Sequence, residues 1–178
     1  MSLRTGRGGA LALAAALVLG ALAPGAPAGA QIPRQDPNSC RGQAELKPLE
    51  PLEVRTDKGL HRFMVEIADS PREREYGMMC RTGMAPDRGM LFIFPQAAPQ
   101  AFWMRNTLIP LDIIYIASDG KVVSIVRNAR PLDETSQPSA GPAQFVLELA
   151  GGRAAQIGLL PGDRIQHRAI RKGAAPRG

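Results

Sequence analysis

Apolar and polar residues alternate through the middle of the chain. In His61–Ala68, Phe63, Val65 and Ile67 alternate with Arg62, Glu66 and the apolar exception Met64, which predicts a half-buried strand. Met90–Phe94 is apolar on both faces and predicts a central strand. Leu111–Ile116 (LDIIYI) and Val122–Val126 (VVSIV) flank Ser118, Asp119 and Gly120, and an Asp-Gly step between two apolar runs signals a hairpin turn. Phe145–Leu149 predicts another strand, and Pro161-Gly162-Asp163 a turn that feeds a strand over Arg164–Ile170.

Two short helices interrupt these strands. Ser70, Pro71 and Glu73 stand as N-cap, first helical residue and capping-box acid, which predicts a helix running to about Met79. After Gly151 and Gly152, Arg153–Ile157 predicts a turn or two of helix ended by Gly158. Closely spaced strands joined by Pro/Gly turns imply a mainly β domain, a compact β-sandwich or partly open barrel with one or two short helices. The second choice is α+β with the helices on one face.

The two ends differ from this core. Arg4 and Arg7 precede an uncharged apolar run, Ala10–Ala23, of 14 residues. That is short for a membrane span, which needs about 20. Ala28-Gly29-Ala30 then matches a small-residue cleavage pattern, so residues 1–30 read as a signal peptide. Residues 31–46 are a proline-rich, polar and extended linker, 47–171 the domain and 172–178 a disordered tail. No other stretch is apolar and long enough to span a membrane. The expected location is periplasmic or secreted, the expected state a monomer.

Charge changes this picture little. The net charge is +6 over the whole chain, and +4 without residues 1–30, which hold Arg4, Arg7 and no acid. The excess is scattered, with much of it near the C-terminus, and reads as a solvated surface; no nucleic-acid partner is expected. Cys40 and Cys80 are the only cysteines. In an oxidising compartment they would pair, a bond worth about 3–4 kcal/mol in the chain-entropy model.

Candidate chemistry concentrates at Trp103-Met104-Arg105-Asn106-Thr107, which holds the only tryptophan. As a pocket, Trp103 and Met104 would form an apolar wall, and Asn106, Thr107 and Asp112 would orient a ligand. As a structural corner, the polar side chains would bond nearby backbone and the tryptophan would fill the core. Asp112 alternates in phase with Ile114 and Ile116, and Glu148 with Val146 and Ala150, so each carboxylate is at least partly buried and needs a partner. Arg81, Arg105 and Arg153 are candidate partners. The two acids could instead form a hydrolytic acid/base pair. Met64, Met78, Met79, Met84, Met90 and Met104 could hold a soft metal, but methionine is ordinary core filler. His167 shares a face with Ile165 and reads as a core histidine. No zinc, phosphate-loop, dinucleotide or nucleophile-elbow motif occurs, so no metal site and no cofactor are expected.

In chain order, Tyr76-Gly77-Met78-Met79-Cys80-Arg81, Gly89-Met90-Leu91-Phe92, Phe102 to Thr107, Pro110-Leu111-Asp112-Ile113, Leu147 to Gly152 and Gly162-Asp163 resemble the domain of unknown function 192 family over about residues 60–170. The resemblance implies a compact, sandwich-like β fold and no established activity. Cys80 stands where the family pattern implies a bulky apolar residue, which ties the disulfide to an exported branch. Together these readings give an exported envelope protein that binds a small ligand or an envelope peptide through Trp103, Met104, Arg105, Asn106, Thr107 and Arg81. The alternatives are a hydrolase using Asp112 and Glu148, or a methionine-based metal-handling protein.

Overall fold

The computed structural model describes residues 48–173; the expected signal peptide and linker, including Cys40, lie outside the described residues. The elements run β1 (Glu50–Thr56), β2 (Gly59–Ala68), α1 (Pro71–Tyr76), β3 (Arg88–Ala98), β4 (Ala101–Phe102), β5 (Leu111–Ile116), β6 (Val122–Ala129), β7 (Gln137–Pro138), β8 (Ala143–Ala150), α2 (Arg153–Gln156), β9 (Arg164–Gln166) and α3 (Arg168–Gly173). Seven strands form one sheet in the order β6-β5-β8-β3-β2-β1-β9, and β4 pairs with β7. Among the described strands only β2 and β3 run parallel, as their crossover through α1 requires.

The large sheet curls until its two edges meet at one end. Lys121 bridges Arg164, Val122 N–H donates to the Asp163 carbonyl at 2.9 Å, and Ile165 N–H donates to the Gly120 carbonyl at 2.9 Å. This partial closure satisfies edge groups that an open sheet would leave exposed. It is the partly open barrel expected from the strand pattern. Period-two alternation divides the apolar side chains between its faces. Leu91, Ile114, Ile116, Phe145, Leu147 and Leu149 join the inner cluster. Met90, Phe92, Ile113, Tyr115 and Val146 join an outer cluster, which Met78 and Met104 help to cover.

Local signals set most boundaries. Ser70 caps α1 through the Glu73 N–H, and the Glu73 carboxylate accepts the Ser70 N–H at 2.9 Å, which completes the box. The helix ends at Tyr76 rather than Met79, because Gly77 takes φ 47° and its Cα packs on Phe92: an added Cβ would meet that ring at 3.0 Å. One expectation at the C-terminal end is corrected. The strand stops at Gln166, and Arg168–Gly173 is helical. The His167 ring turns the chain there, its Nδ1 accepting the Ala169 N–H at 3.2 Å. His167 is buried, with Nε2 3.0 Å from Glu50 Oε2.

One buried acid holds several elements together. Asp112 is fully buried on the inner face of β5. Its Oδ1 accepts the Asn128 N–H at 2.7 Å and the Gly152 N–H at 3.0 Å, and its Oδ2 accepts the Ala154 N–H at 2.7 Å. The carboxylate therefore joins β5 to a left-handed residue near the end of β6 (Asn128, φ 51°) and to the first turn of α2. Gly151 is fixed by the same packing: a Cβ there would lie 2.5 Å from Asn128 Oδ1 and 2.8 Å from Pro110 Cβ. Asp112→Asn replaces an acceptor oxygen with a donor amide facing buried N–H groups. It is expected to cost about 2–4 kcal/mol of stability, measured by urea denaturation; an unchanged midpoint would contradict this role.

Candidate functional site

Glu148 is placed by the alternation of β8. Phe145, Leu147 and Leu149 point into the inner cluster and Val146 into the outer one, so Glu148 shares the outer face. There it stands between Met90 of β3 and Ile113 of β5, its partners in register. It is only 3% exposed, and Oε2 has no hydrogen-bond partner. Burial without a countercharge pushes its carboxyl up from 4.5 to about 8, because an ion in a dry site is costly. The neighbouring Tyr115 phenol donates to the Gln137 carbonyl. Burial, and then the Glu148 charge, hold that phenol well above its ordinary range.

A hollow of about 290 Å³ opens beside Glu148. Its walls are largely aromatic and thioether. Phe92 and Phe94 come from alternate positions of β3, Phe102 from β4, and Tyr76, Met78 and Met79 from the end of α1 and the loop beyond. Phe102 meets Phe92 edge-on, with ring centroids 4.9 Å apart. Trp103 and Thr107 also line the hollow. Trp103 is 48% exposed, so it forms a rim; the reading of a tryptophan that fills the core is corrected. Arg105 lies over its indole at 5.6 Å from the centroid.

The sequence candidates separate accordingly. Trp103, Thr107 and Glu148 come together. Met104 is fully buried in the outer cluster and forms no exposed wall. Asn106 takes φ 54°, and its carbonyl accepts the Cys80 N–H at 2.8 Å, so its backbone fixes the corner. Arg81 is forked onto Glu66 at 2.7 and 2.8 Å and lines a neighbouring hollow with Met84. Arg153 lies over Phe63 and reaches Gln156. Among the described ion pairs, none of the three arginines meets Asp112 or Glu148.

The proposed acid/base pair is corrected by register. Asp112 is opposite Leu149, and Glu148 is opposite Ile113, so the two carboxylates occupy opposite faces of the sheet. Asp112 is bonded only to backbone. Met78, Met90 and Met104 are buried members of the outer apolar cluster, with Met84 packed against it, and Met78 and Met79 also line the hollow. Among the described residues no group of three His, Cys, Asp or Glu gathers as for a metal, no cysteine is free, and no helix is long and apolar enough to cross a membrane. The aromatic walls were missed in the sequence. The signal available was the shared phase of Met90, Phe92 and Phe94 along one strand.

The raised Glu148 carboxyl gives stability a definite pH dependence. The folded protein holds this proton more tightly than the unfolded chain, so its contribution is complete below about pH 4.5 and is lost as pH rises through about 8. Glu148→Gln mimics the neutral acid. It is expected to match the parent at low pH and to exceed it above about pH 8 by on the order of a few kcal/mol. Urea midpoints measured across that range test this; parallel pH profiles would contradict it.

The comparisons agree with the fold. The family model DUF192, an uncharacterized ACR, matches residues 52–167. A crystal structure from Sinorhizobium meliloti 1021, provisionally described as a transcription regulator, is 42% identical, with TM-score 0.66, and the match covers 69% of this chain and 97% of that one. A protein of unknown function from Novosphingobium aromaticivorans DSM 12444 is 37% identical, with TM-score 0.67, covering 75% of this chain and 99% of that one. No curated protein matches the sequence. With the family pattern spanning most of the barrel, from β1 to the residue after β9, the chain belongs to the DUF192 family.

Proposed function

We propose that the chain is an exported envelope module that binds a small ligand in the hollow between Trp103 and Glu148. The observation that carries the reading is a buried carboxyl with an unpartnered oxygen beside an open aromatic hollow. Buried polar groups in folded proteins are almost always satisfied. One left unsatisfied at the wall of a hollow is ready to be satisfied by what enters it. Export rests on the charged, apolar and small-residue succession of residues 1–30. A Cys40–Cys80 bond belongs to the same proposal, since it would anchor the linker at the loop that carries Met78 and Met79.

The hydrolase alternative loses support from the opposite facing of Asp112 and Glu148. A nucleic-acid role, of the kind the Sinorhizobium relative's description suggests, finds little support in the charges. Arg62, Arg81 and Arg168 are each paired with a glutamate, Glu53, Glu66 and Glu50, which neutralises them locally.

A fragment screen by ligand-detected NMR tests the reading, with Trp103→Ala as the control. The exposed position predicts a stability change within about 1 kcal/mol, while hits should bind about tenfold more weakly to the variant. Hits that bind both proteins equally would place their site elsewhere.

A further inference from the structure

We infer that the hollow takes a small organic cation, its ammonium group seated on Glu148 and its alkyl part boxed by aromatic rings. The inference rests on the pocket reading above and names its ligand class. The hydroxyl hydrogens nearest Glu148 already have acceptors. Thr107 Oγ1 donates to the Arg105 carbonyl at 3.3 Å. The Tyr115 hydroxyl donates to the Gln137 carbonyl. Neither is free to donate to Glu148, whose Oε2 has no hydrogen-bond partner and keeps its acceptor capacity.

The charges around the hollow point the same way. Arg74 is the cation among the lining residues, and its Nη1 donates to the Asp69 and Ile93 carbonyls while its guanidinium lies 5.3 Å from the Phe94 centroid. Glu75 and Tyr76 join it from α1, and Tyr115 faces Glu148 from β5. The flanking residues of β3 and β5, Met90 and Ile113, carry no charge. An anionic ligand would meet the Glu75 carboxylate and would keep Glu148 from ionising, and a purely apolar one would leave Glu148 unsatisfied. An alkylammonium supplies the missing donor and a countercharge together, and its alkyl part suits a hollow lined by Phe92, Phe94, Phe102 and Trp103.

Binding then moves one proton. In the empty protein at neutral pH Glu148 is mostly the neutral acid. Seating R–NH₃⁺ forms the carboxylate–ammonium pair and releases the Glu148 proton to solvent; no covalent bond changes. Affinity should therefore rise about tenfold per pH unit up to about pH 8 and level off above it, since an alkylamine stays protonated to about pH 10.

The test is calorimetric titration of the protein with n-butylammonium, butanol and butyrate at several pH values, in two buffers of different ionisation enthalpy. The expected result is binding of n-butylammonium with release of about one proton at pH 6–7. Glu148→Gln should weaken it by about thirtyfold or more and abolish the proton release. Trp103→Ala should weaken binding while leaving the proton release intact, a readout that does not depend on the Glu148 variant folding. Binding of butanol or butyrate in place of the amine would overturn the cation assignment and leave a pocket. Failure of all three probes would overturn the cation assignment and count against the pocket as well. Amine binding unchanged by Glu148→Gln would also overturn it.

Discussion

The Asp112 carboxylate gathers the backbone N–H groups of Asn128, Gly152 and Ala154, and with them β5, the end of β6 and the turn into α2. Taking a carboxylate out of water is costly unless donors replace the lost hydration, and here three do so at 2.7–3.0 Å. The bonds fix how β8 leaves the sheet. That turn begins only a few residues after Glu148, so the register of β8 against β5, and the face on which Glu148 emerges, depend on it. The other end of the curl is secured where β9 meets the start of β6. Between the two fixed ends the central strands bury side chains on both faces.

Glu148 is the same chemical group under the opposite conditions. Its Oε2 has no donor and the group has no countercharge, so it resolves the cost of burial by keeping its proton. The two acids thus divide the sheet: one face is closed by a satisfied charge, the other carries a carboxyl with an unpartnered oxygen beside an aromatic hollow. Natural sequences usually break the rule of polar satisfaction where function requires it. The Glu148 side chain lowers stability at neutral pH, and the ligand class we infer is the one that would remove that penalty.

Much of the fold was legible because local rules decided it. The LDIIYI strand, the Asp119-Gly120 turn and the Ser70–Glu73 box appear where residue chemistry puts them. Strand β1 was not foreseen. It carries just two buried apolar side chains, Leu52 and Val54, and exposes Pro51, so its pattern is faint and its pairing with β2 and β9 supplies what propensity does not. The site was half legible. Alternation along β5 and β8 correctly marked Asp112 and Glu148 as buried. It could not say whether they share a face, because that is fixed by the register between strands and a shift of one residue reverses it. Trp103 was singled out by its rarity, but its exposure depends on how the chain leaves β4, which no local signal encodes.

The central claim is that Glu148 sits uncompensated at the wall of an open hollow. A ¹³C-detected NMR titration of the glutamate side-chain carboxyls, with Glu148 assigned by substitution, measures this directly. The account predicts a midpoint near pH 8 for Glu148 in the free protein. A midpoint at the ordinary 4.5 would mean that water or a protein donor already satisfies the group, and would contradict the account.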